Sequence, residues 1–346
     1  METAARARTK RNNRLKIVLW ALVITLVFTN AFTIYLLIKT GYALEDALSA
    51  VAVYAREEKR RQEEDIVTPI SVFLDYAARD GISIEFIQRF FTDRILVWHG
   101  EKLHSIDIDD TLKKSSFDSR HIVYNQNGIR SYEPEKGKDI SLFGIDVSSY
   151  QKNIDWQKVK EQGVDYAIIR LGYRGYGTGE VLLDSKFHQN MKGAAQSEIP
   201  TGVYFYSQAV TEEEAIEEAE MIIKNLEGYD ISYPVVFDME EVNDLPENVR
   251  TSDLTSKQRT DITIAFCERI KKAGYTPMIY GNISWMIMNL EIERLEAYDK
   301  WFAQYYKQPF FPYEFSMWQY TARGTLEGIE GTVDFNMGLV DYSAEK

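Results

Sequence analysis

The sequence predicts an α/β fold: a (β/α) barrel with its last helices short or missing, preceded by one transmembrane helix and a small membrane-proximal α+β region. Three observations carry this expectation. An uncharged apolar run, residues 17–38, follows a basic N-terminal cluster. From Ser141 onward, short apolar runs alternate with helical patterns, which implies a parallel sheet covered on both faces. Those runs number eight, the strand count of a compact barrel. A doubly wound open sheet is the structural alternative.

In chain order, residues 1–16 hold Arg6, Arg8, Lys10, Arg11, Arg14 and Lys16 against a single acid, Glu2. A chain of formal net charge −13 therefore starts with a basic tail and is more acidic still beyond it. Residues 17–38 form a run of 22 without a charge. As a helix that run is about 33 Å long, enough to cross a bilayer core. Positive charge before the span places the N-terminus in the cytoplasm and the rest outside, so the expected location is the cell membrane, single-pass. A cleaved signal peptide is the competing reading, but its apolar core is usually only about 7–15 residues. Residues 43–64 lack Gly and Pro and read as a helical stalk. Residues 67–135 mix short helical and strand-like runs, and Asn127-Gly128 has the form of a hairpin turn between 121–124 and 129–132. The stretch 133–138 reads as a linker. The expected domains are thus a tail (1–16), a span (17–38), an extracellular stalk and small domain of no assigned activity (39–140), and a main domain (141–346).

Within the main domain the strand candidates are 142–147, 165–170, 200–206, 234–240, 276–280, 300–305, 314–320 and 332–335. Helical patterns begin near Trp156, Lys186, Glu212 and Ser256. The Gly-rich stretch 172–179 has neither a dinucleotide fingerprint nor the Lys-Ser/Thr of a phosphate loop, and reads as a permissive rim loop.

Composition removes several classes of function. The single cysteine, Cys267, allows no disulfide within the chain. The four histidines (His99, His104, His121, His188) are scattered, so neither a histidine metal site nor a triad is expected, and no cofactor is implied. An acidic body argues against nucleic acid as a partner. Aromatic residues reach 13%, with 22 Tyr and 6 Trp, more than a packed core needs; aromatic faces in a cleft commonly stack on sugar rings.

The chemistry concentrates in Tyr233-Pro-Val-Val-Phe-Asp-Met-Glu-Glu241. Asp238 and Glu240 stand two residues apart at a strand end and therefore share a face. Two carboxylates held close behind an apolar run have their pKa values pushed apart, as a general acid and a charged helper require. The plainer reading is a strand that runs out into an acidic loop through Glu241, Asp244 and Glu247. Other strand ends test it. Asp146 and Asp334 end the first and last strand candidates, and Tyr204, Tyr206, Tyr280, Gln304, Tyr305, Trp318, Gln319 and Tyr320 lie at or near others. Active sites of such barrels form at strand C-terminal ends, so four carboxylates would meet at one mouth. Carboxylates with aromatics, lacking a cofactor loop, describe a carbohydrate-cleaving cleft.

Five separated motifs carry a family resemblance: Phe143-Gly-Ile-Asp-Val-Ser-Ser-Tyr-Gln151, Asp155-Trp156, Phe237-Asp-Met-Glu240, Trp318-Gln-Tyr320 and Val333-Asp-Phe-Asn336. Over about residues 142–342 the chain resembles the glycoside hydrolase family 25 muramidases, the Chalaropsis-type lysozymes. The resemblance implies a TIM-like (β/α)5(β)3 barrel and hydrolysis of the β-1,4 bond between N-acetylmuramic acid and N-acetylglucosamine in peptidoglycan. It makes Glu240 the general acid and Asp238 the carboxylate that steers the 2-acetamido group or stabilises the oxocarbenium-like transition state. Asp146 and Asp334 become an outer acidic pair. Tyr204, Tyr206, Tyr280, Gln304, Trp318 and Gln319 are the candidate sugar contacts. A chitinase-like glycosidase is the runner-up, disfavoured because Val236 stands where those enzymes usually carry a further Asp; a wall-binding scaffold without hydrolysis is the alternative from another class. The expected partners are peptidoglycan and a bacterial membrane, with any wall-spanning or division assembly unidentified.

Overall fold

The computed structural model describes residues 83–88, 91–125, 127–241 and 249–344. The basic tail, the expected span at 17–38 and the expected stalk helix at 43–64 lie outside the described residues. Among those described, no helix is long and apolar enough to cross a membrane. The chain divides into two units, 1–90 and 91–346. The first contributes to the description a single short helix, α1 (Ile84–Gln88).

The second unit opens with two antiparallel hairpins. Strand β1 (Arg94–His99) pairs with β2 (Lys102–Asp107) through a turn at Gly100, whose φ of 59° suits glycine. Strand β3 (Ile122–Tyr124) pairs with β4 (Arg130–Tyr132), and Gly128 takes the left-handed turn position at φ 76°. The second hairpin packs along the barrel: Arg130 N–H donates to the Tyr320 hydroxyl (3.3 Å), and the Tyr124 hydroxyl donates to the Lys307 carbonyl (2.6 Å).

The barrel strands follow: β5 (Leu142–Val147), β6 (Tyr166–Arg174) with a short antiparallel companion β7 (Val181–Leu183), β8 (Thr201–Tyr206), β9 (Val235–Asp238), β10 (Pro277–Asn282), β11 (Asp299–Ala303), β12 (Met317–Gly324) and β13 (Val333–Gly338). Neighbours pair in the order β5-β6-β8-β9-β10-β11-β12-β13, and β13 pairs back onto β5, closing a ring of eight strands. Each pair from β5 through β12 is parallel; β13 runs antiparallel to both β12 and β5.

This corrects the expected TIM-like (β/α)5(β)3 barrel with its parallel sheet. The closed sheet is mixed, and helices are few: five α-helices occur among the described residues, of which four connect barrel strands. These are α2 (Trp156–Glu161), α3 (Phe187–Gln196), α4 (Glu212–Leu226) and α5 (Ser256–Lys272). After β10 the chain makes a π-helical turn (Trp285–Asn289) and a 3-10 turn (Ile292–Leu295) instead of a fifth helix. The connections before β12 and β13 carry no α-helix. The eight residues between β12 and β13 are too few for a parallel crossover, so β13 returns antiparallel.

Local sequence explains the helices that do form. Thr255 and Gln258 build a reciprocal capping box at the start of α5. Thr211 caps α4, and Glu212, Glu213 and Glu214 place negative charge on its positive end. Helix α4 buries Ala215, Ala219, Ile222 and Leu226, an i, i+4, i+7 stripe facing the sheet.

Strand alternation divides the core in two. Val235, Phe237, Ile279, Phe302 and Phe335 point outward beneath the helices and loops. Ile168, Val236, Met278, Trp301 and Met317 fill the barrel. Its floor is Tyr166, stacked on Tyr233 with ring centroids 4.4 Å apart. Gly144 makes room for that ring, since a Cβ there would sit 2.1 Å from Tyr166 Cζ. The Gly-rich segment is pinned as well as permissive. Arg174 is buried and donates to the Gly179 carbonyl (2.8 Å) and to Glu218 (2.7 Å).

Candidate active site

At the opposite end from Tyr166, β5, β9, β12 and β13 bring polar side chains into the barrel mouth. Asp146 lies one residue before the end of β5, and Asp238 closes β9. Asp334 arrives differently from the expectation. It stands near the start of β13, not the end of a parallel strand, and it reaches the same mouth because β13 is inverted. Asp334 and Asp146 are direct cross-strand partners, a pairing that brings Cα atoms to about 4.5–5.5 Å.

Asp146 is held by two amides. Gln319 Nε2 and Asn336 Nδ2 both donate to its Oδ2, at 2.9 and 2.8 Å. Each amide is oriented from behind. The hydroxyls of Tyr280 and Tyr305 donate to Gln319 Oε1 at 2.8 and 2.7 Å, and Trp301 Nε1 donates to Asn336 Oδ1 at 2.8 Å. The amide contacts favour the ionised form, yet burial and the nearby Asp334 charge outweigh them and hold the Asp146 pKa well above the usual carboxylate range.

Asp238 and Glu240 share a face, as i and i+2 residues should, and their carboxyls hydrogen-bond to each other. Burial raises both, and Asp238 most, because Glu240's charge and the hydrogen bond it gives Glu240 both favour its protonated form. The Arg170 guanidinium pulls Asp238 the other way without prevailing. Asp334 is pushed up by burial to about 6. Four carboxyls at one buried mouth do not all ionise; the site stores protons toward neutral pH. The pair differs in access. Asp238 is buried, whereas Glu240, just past the strand, is half-buried and open to the mouth.

Tyr204 and Tyr206 project from β8 on the same side. Tyr204 is half-buried, edge-on to Trp301 with ring centroids 6.3 Å apart. Tyr206 is half-buried beside Asp238 and Glu240, and burial followed by those two charges raises its phenol pKa. With Tyr280 and Gln319, these residues join the carboxylates. Gln304 and Trp318 do not. Trp318 points to the outer face of β12, where it is fully buried, donates to the Gln304 carbonyl (2.9 Å) and lies under Arg130 (5.0 Å). Strand parity sends Met317 and Gln319 inward and Trp318 and Tyr320 outward, so Trp318 lies on the face away from the carboxylates. Gln304 spends its Oε1 on the Phe310 N–H (3.0 Å) and ties a loop.

Four further residues stand near the site without a role that the sequence alone assigns: Asn336, Trp301, Tyr305 and Arg170. Asn336 was findable, being i+2 from Asp334 on the same strand face. Tyr305 lies past the end of β11, where parity no longer fixes direction. Arg170 pairs with the fully buried Asp184 carboxylate (2.7 Å) and donates to Ser149 Oγ (3.1 Å), contacts from distant segments that no local pattern announces. Among the described residues, no group of three His, Cys, Asp or Glu side chains is disposed to hold a metal ion.

Coupled carboxyls at a barrel mouth, one reachable and one buried, with tyrosines around them, define the class as a glycoside-cleaving enzyme. The chain belongs to the family described as glycosyl hydrolases family 25, whose model matches residues 145–329. It is similar to YegX of Escherichia coli, 27% identical over 219 residues that cover 62% of this chain and 75% of that protein. The bacterial lysozyme from Streptomyces coelicolor shares the fold at TM-score 0.50 and 25% identity, covering 58% of this chain and 93% of that one. The modular autolysin LytC from Streptococcus pneumoniae, also solved with a synthetic peptidoglycan ligand, shares the fold at TM-score 0.52 and 23% identity. That match covers 71% of this chain and 57% of LytC, so the chain spans just over half of that protein's length.

Proposed function

We propose that this glycoside hydrolase is a membrane-tethered N-acetylmuramidase that cuts the β-1,4 bond between N-acetylmuramic acid and N-acetylglucosamine in peptidoglycan. The observation that carries the reading is the hydrogen-bonded carboxyl pair Asp238–Glu240 at the mouth, with Asp146 and Asp334 alongside. Glu240 is the member a glycan can reach, so the pair's proton, which Asp238 directs at Glu240 in their hydrogen bond, passes to Glu240 and from it to the leaving glycosidic oxygen. Asp238, buried behind it, holds the second proton-binding position. Once Glu240 has given up its proton, the charge left on the pair faces the oxocarbenium-like centre and stabilises it. Asp334's charge raises the Glu240 pKa, which delays loss of the proton that Glu240 must deliver. Tyr204, Tyr206 and Tyr280 offer ring faces and hydroxyls to the sugars.

The tether rests on the uncharged run at 17–38 behind six basic residues. It holds the hydrolase, residues 141–346 with the region before them, outside the cell and against the wall, and raises the local concentration of enzyme over substrate. The test is chemical. Detergent-solubilised full-length chain is incubated with purified peptidoglycan, and the new reducing ends are reduced with borohydride and identified. Reduced muramic acid is expected; reduced glucosamine in its place would contradict the bond assignment.

A further inference from the structure

The β3–β4 hairpin lies before the residues that define the family, yet it grips the loop that completes the active site. That loop, 304–310, carries Tyr305, whose hydroxyl donates to Gln319 Oε1 (2.7 Å). Gln319 in turn donates to Asp146 (2.9 Å). The two loop residues after Tyr305 are held by the hairpin through their carbonyls. Arg130 Nη1 donates to Tyr306 O at 2.7 Å, and the Tyr124 hydroxyl donates to Lys307 O at 2.6 Å. The Arg130 guanidinium is itself fixed over three rings, Tyr320 at 4.8 Å, Trp318 at 5.0 Å and Tyr124 at 5.2 Å. Such a planar cation, stacked and hydrogen-bonded at once, has little freedom, and lysine does not reproduce it.

We infer that Arg130, with Tyr124, is a positioning residue for the hydrolytic site: the hairpin sets the 304–310 loop so that Tyr305 locks the Gln319 amide against Asp146. An amide can face either way, and two hydroxyls on its oxygen decide which. With Tyr280 alone, Gln319 keeps one of those two donors and is free to tilt. The family-defining segment, 145–329, therefore depends on residues upstream of it for the geometry of its own mouth. This inference rests on the proposed hydrolysis, and its test keeps the two apart.

The experiment compares full-length parent, Arg130→Ala, Arg130→Lys, Tyr305→Phe and the Arg130→Ala/Tyr305→Phe double variant on solubilised glycan strands from peptidoglycan. At a temperature well below unfolding, Arg130→Ala is expected to lower kcat on the order of 10- to 100-fold with a smaller change in KM, as misplaced active-site groups do. Arg130→Lys should recover part of the loss. Because Arg130 and Tyr305 act along one path, the double variant should fall no further than the worse single variant. Backbone hydrogen exchange supplies a readout that needs no activity. The Phe310 amide, bonded to Gln304 Oε1, should exchange faster in Arg130→Ala, while amides of β8 and β9 stay protected. Unchanged exchange at Phe310 overturns the brace whether or not the parent is active. A lower melting temperature with parent kcat, or fully additive losses in the double variant, overturns it too. A parent that cuts nothing contradicts the proposed function, and the exchange result still decides the brace.

Discussion

Asp334 sets much of the site's charge without occupying its centre. Its carboxylate raises the Glu240 pKa, and burial lifts its own to about 6. Replacing it with a neutral amide removes one negative neighbour of Glu240, so on the proposed mechanism the Glu240 proton is released at lower pH. In Asp334→Asn the alkaline limb of the kcat/KM profile should therefore move toward acid relative to the parent, checked by rates on solubilised glycan strands across pH 4–9. A limb that stays in place, or moves up, would contradict this charge coupling. At this scale, the four carboxylates were readable because a charged residue at the end of an apolar strand has few other reasons to be there, and because i, i+2 parity places Asp238 with Glu240. Trp318 was not, since its ring chemistry suits sugar while its parity sends it outward. Gln304 and Tyr305 sit beyond the end of β11, where the chain has left the strand and alternation stops predicting direction.

Among the elements, β13 departs most from a sequence reading. Periodicity reports that a strand exists and which residues share a face, and it is silent on direction. Val333, Phe335 and Met337 alternate with Asp334, Asn336 and Gly338 identically whether the strand runs up or down. Direction is set by the short link from β12 and by the partner on the far side. Its inversion places Asp334 and Asn336 beside Asp146, one as its cross-strand neighbour and the other as its hydrogen-bond donor. Strand β5 depends on glycine for the same packing. A methyl group at Gly144 would press into the Tyr166 ring at 2.1–2.5 Å, inside a floor already stacked on Tyr233. Gly144→Ala should destabilise the protein by roughly 1–3 kcal/mol, seen as a lower denaturation midpoint with an unchanged slope. A midpoint equal to the parent's would mean that the floor repacks freely.

Taken as a whole, the chain combines an acidic catalytic unit with a basic, apolar N-terminus. The eight apolar runs were enough to count the strands of a closed barrel, because each must bury both faces. The four helical patterns and the short or missing last helices were legible too; the mixture of strand directions was not, since it is decided by how connections pack and not by the strands themselves. The hairpin at 122–132 illustrates the same limit: its turn is local, whereas its contacts with the loop at 304–310 join distant residues, as in the Tyr124 hydroxyl to the Lys307 carbonyl, 183 positions apart. The central claim, that the Asp238–Glu240 pair delivers a proton to a glycosidic bond, is tested by comparing muropeptide release from purified peptidoglycan by the full-length parent and by Glu240→Gln, with circular dichroism confirming equal folding. The account predicts release by the parent and a loss on the order of 10²–10⁴-fold in the variant. Equal release from both would remove Glu240 from the reaction and contradict the account.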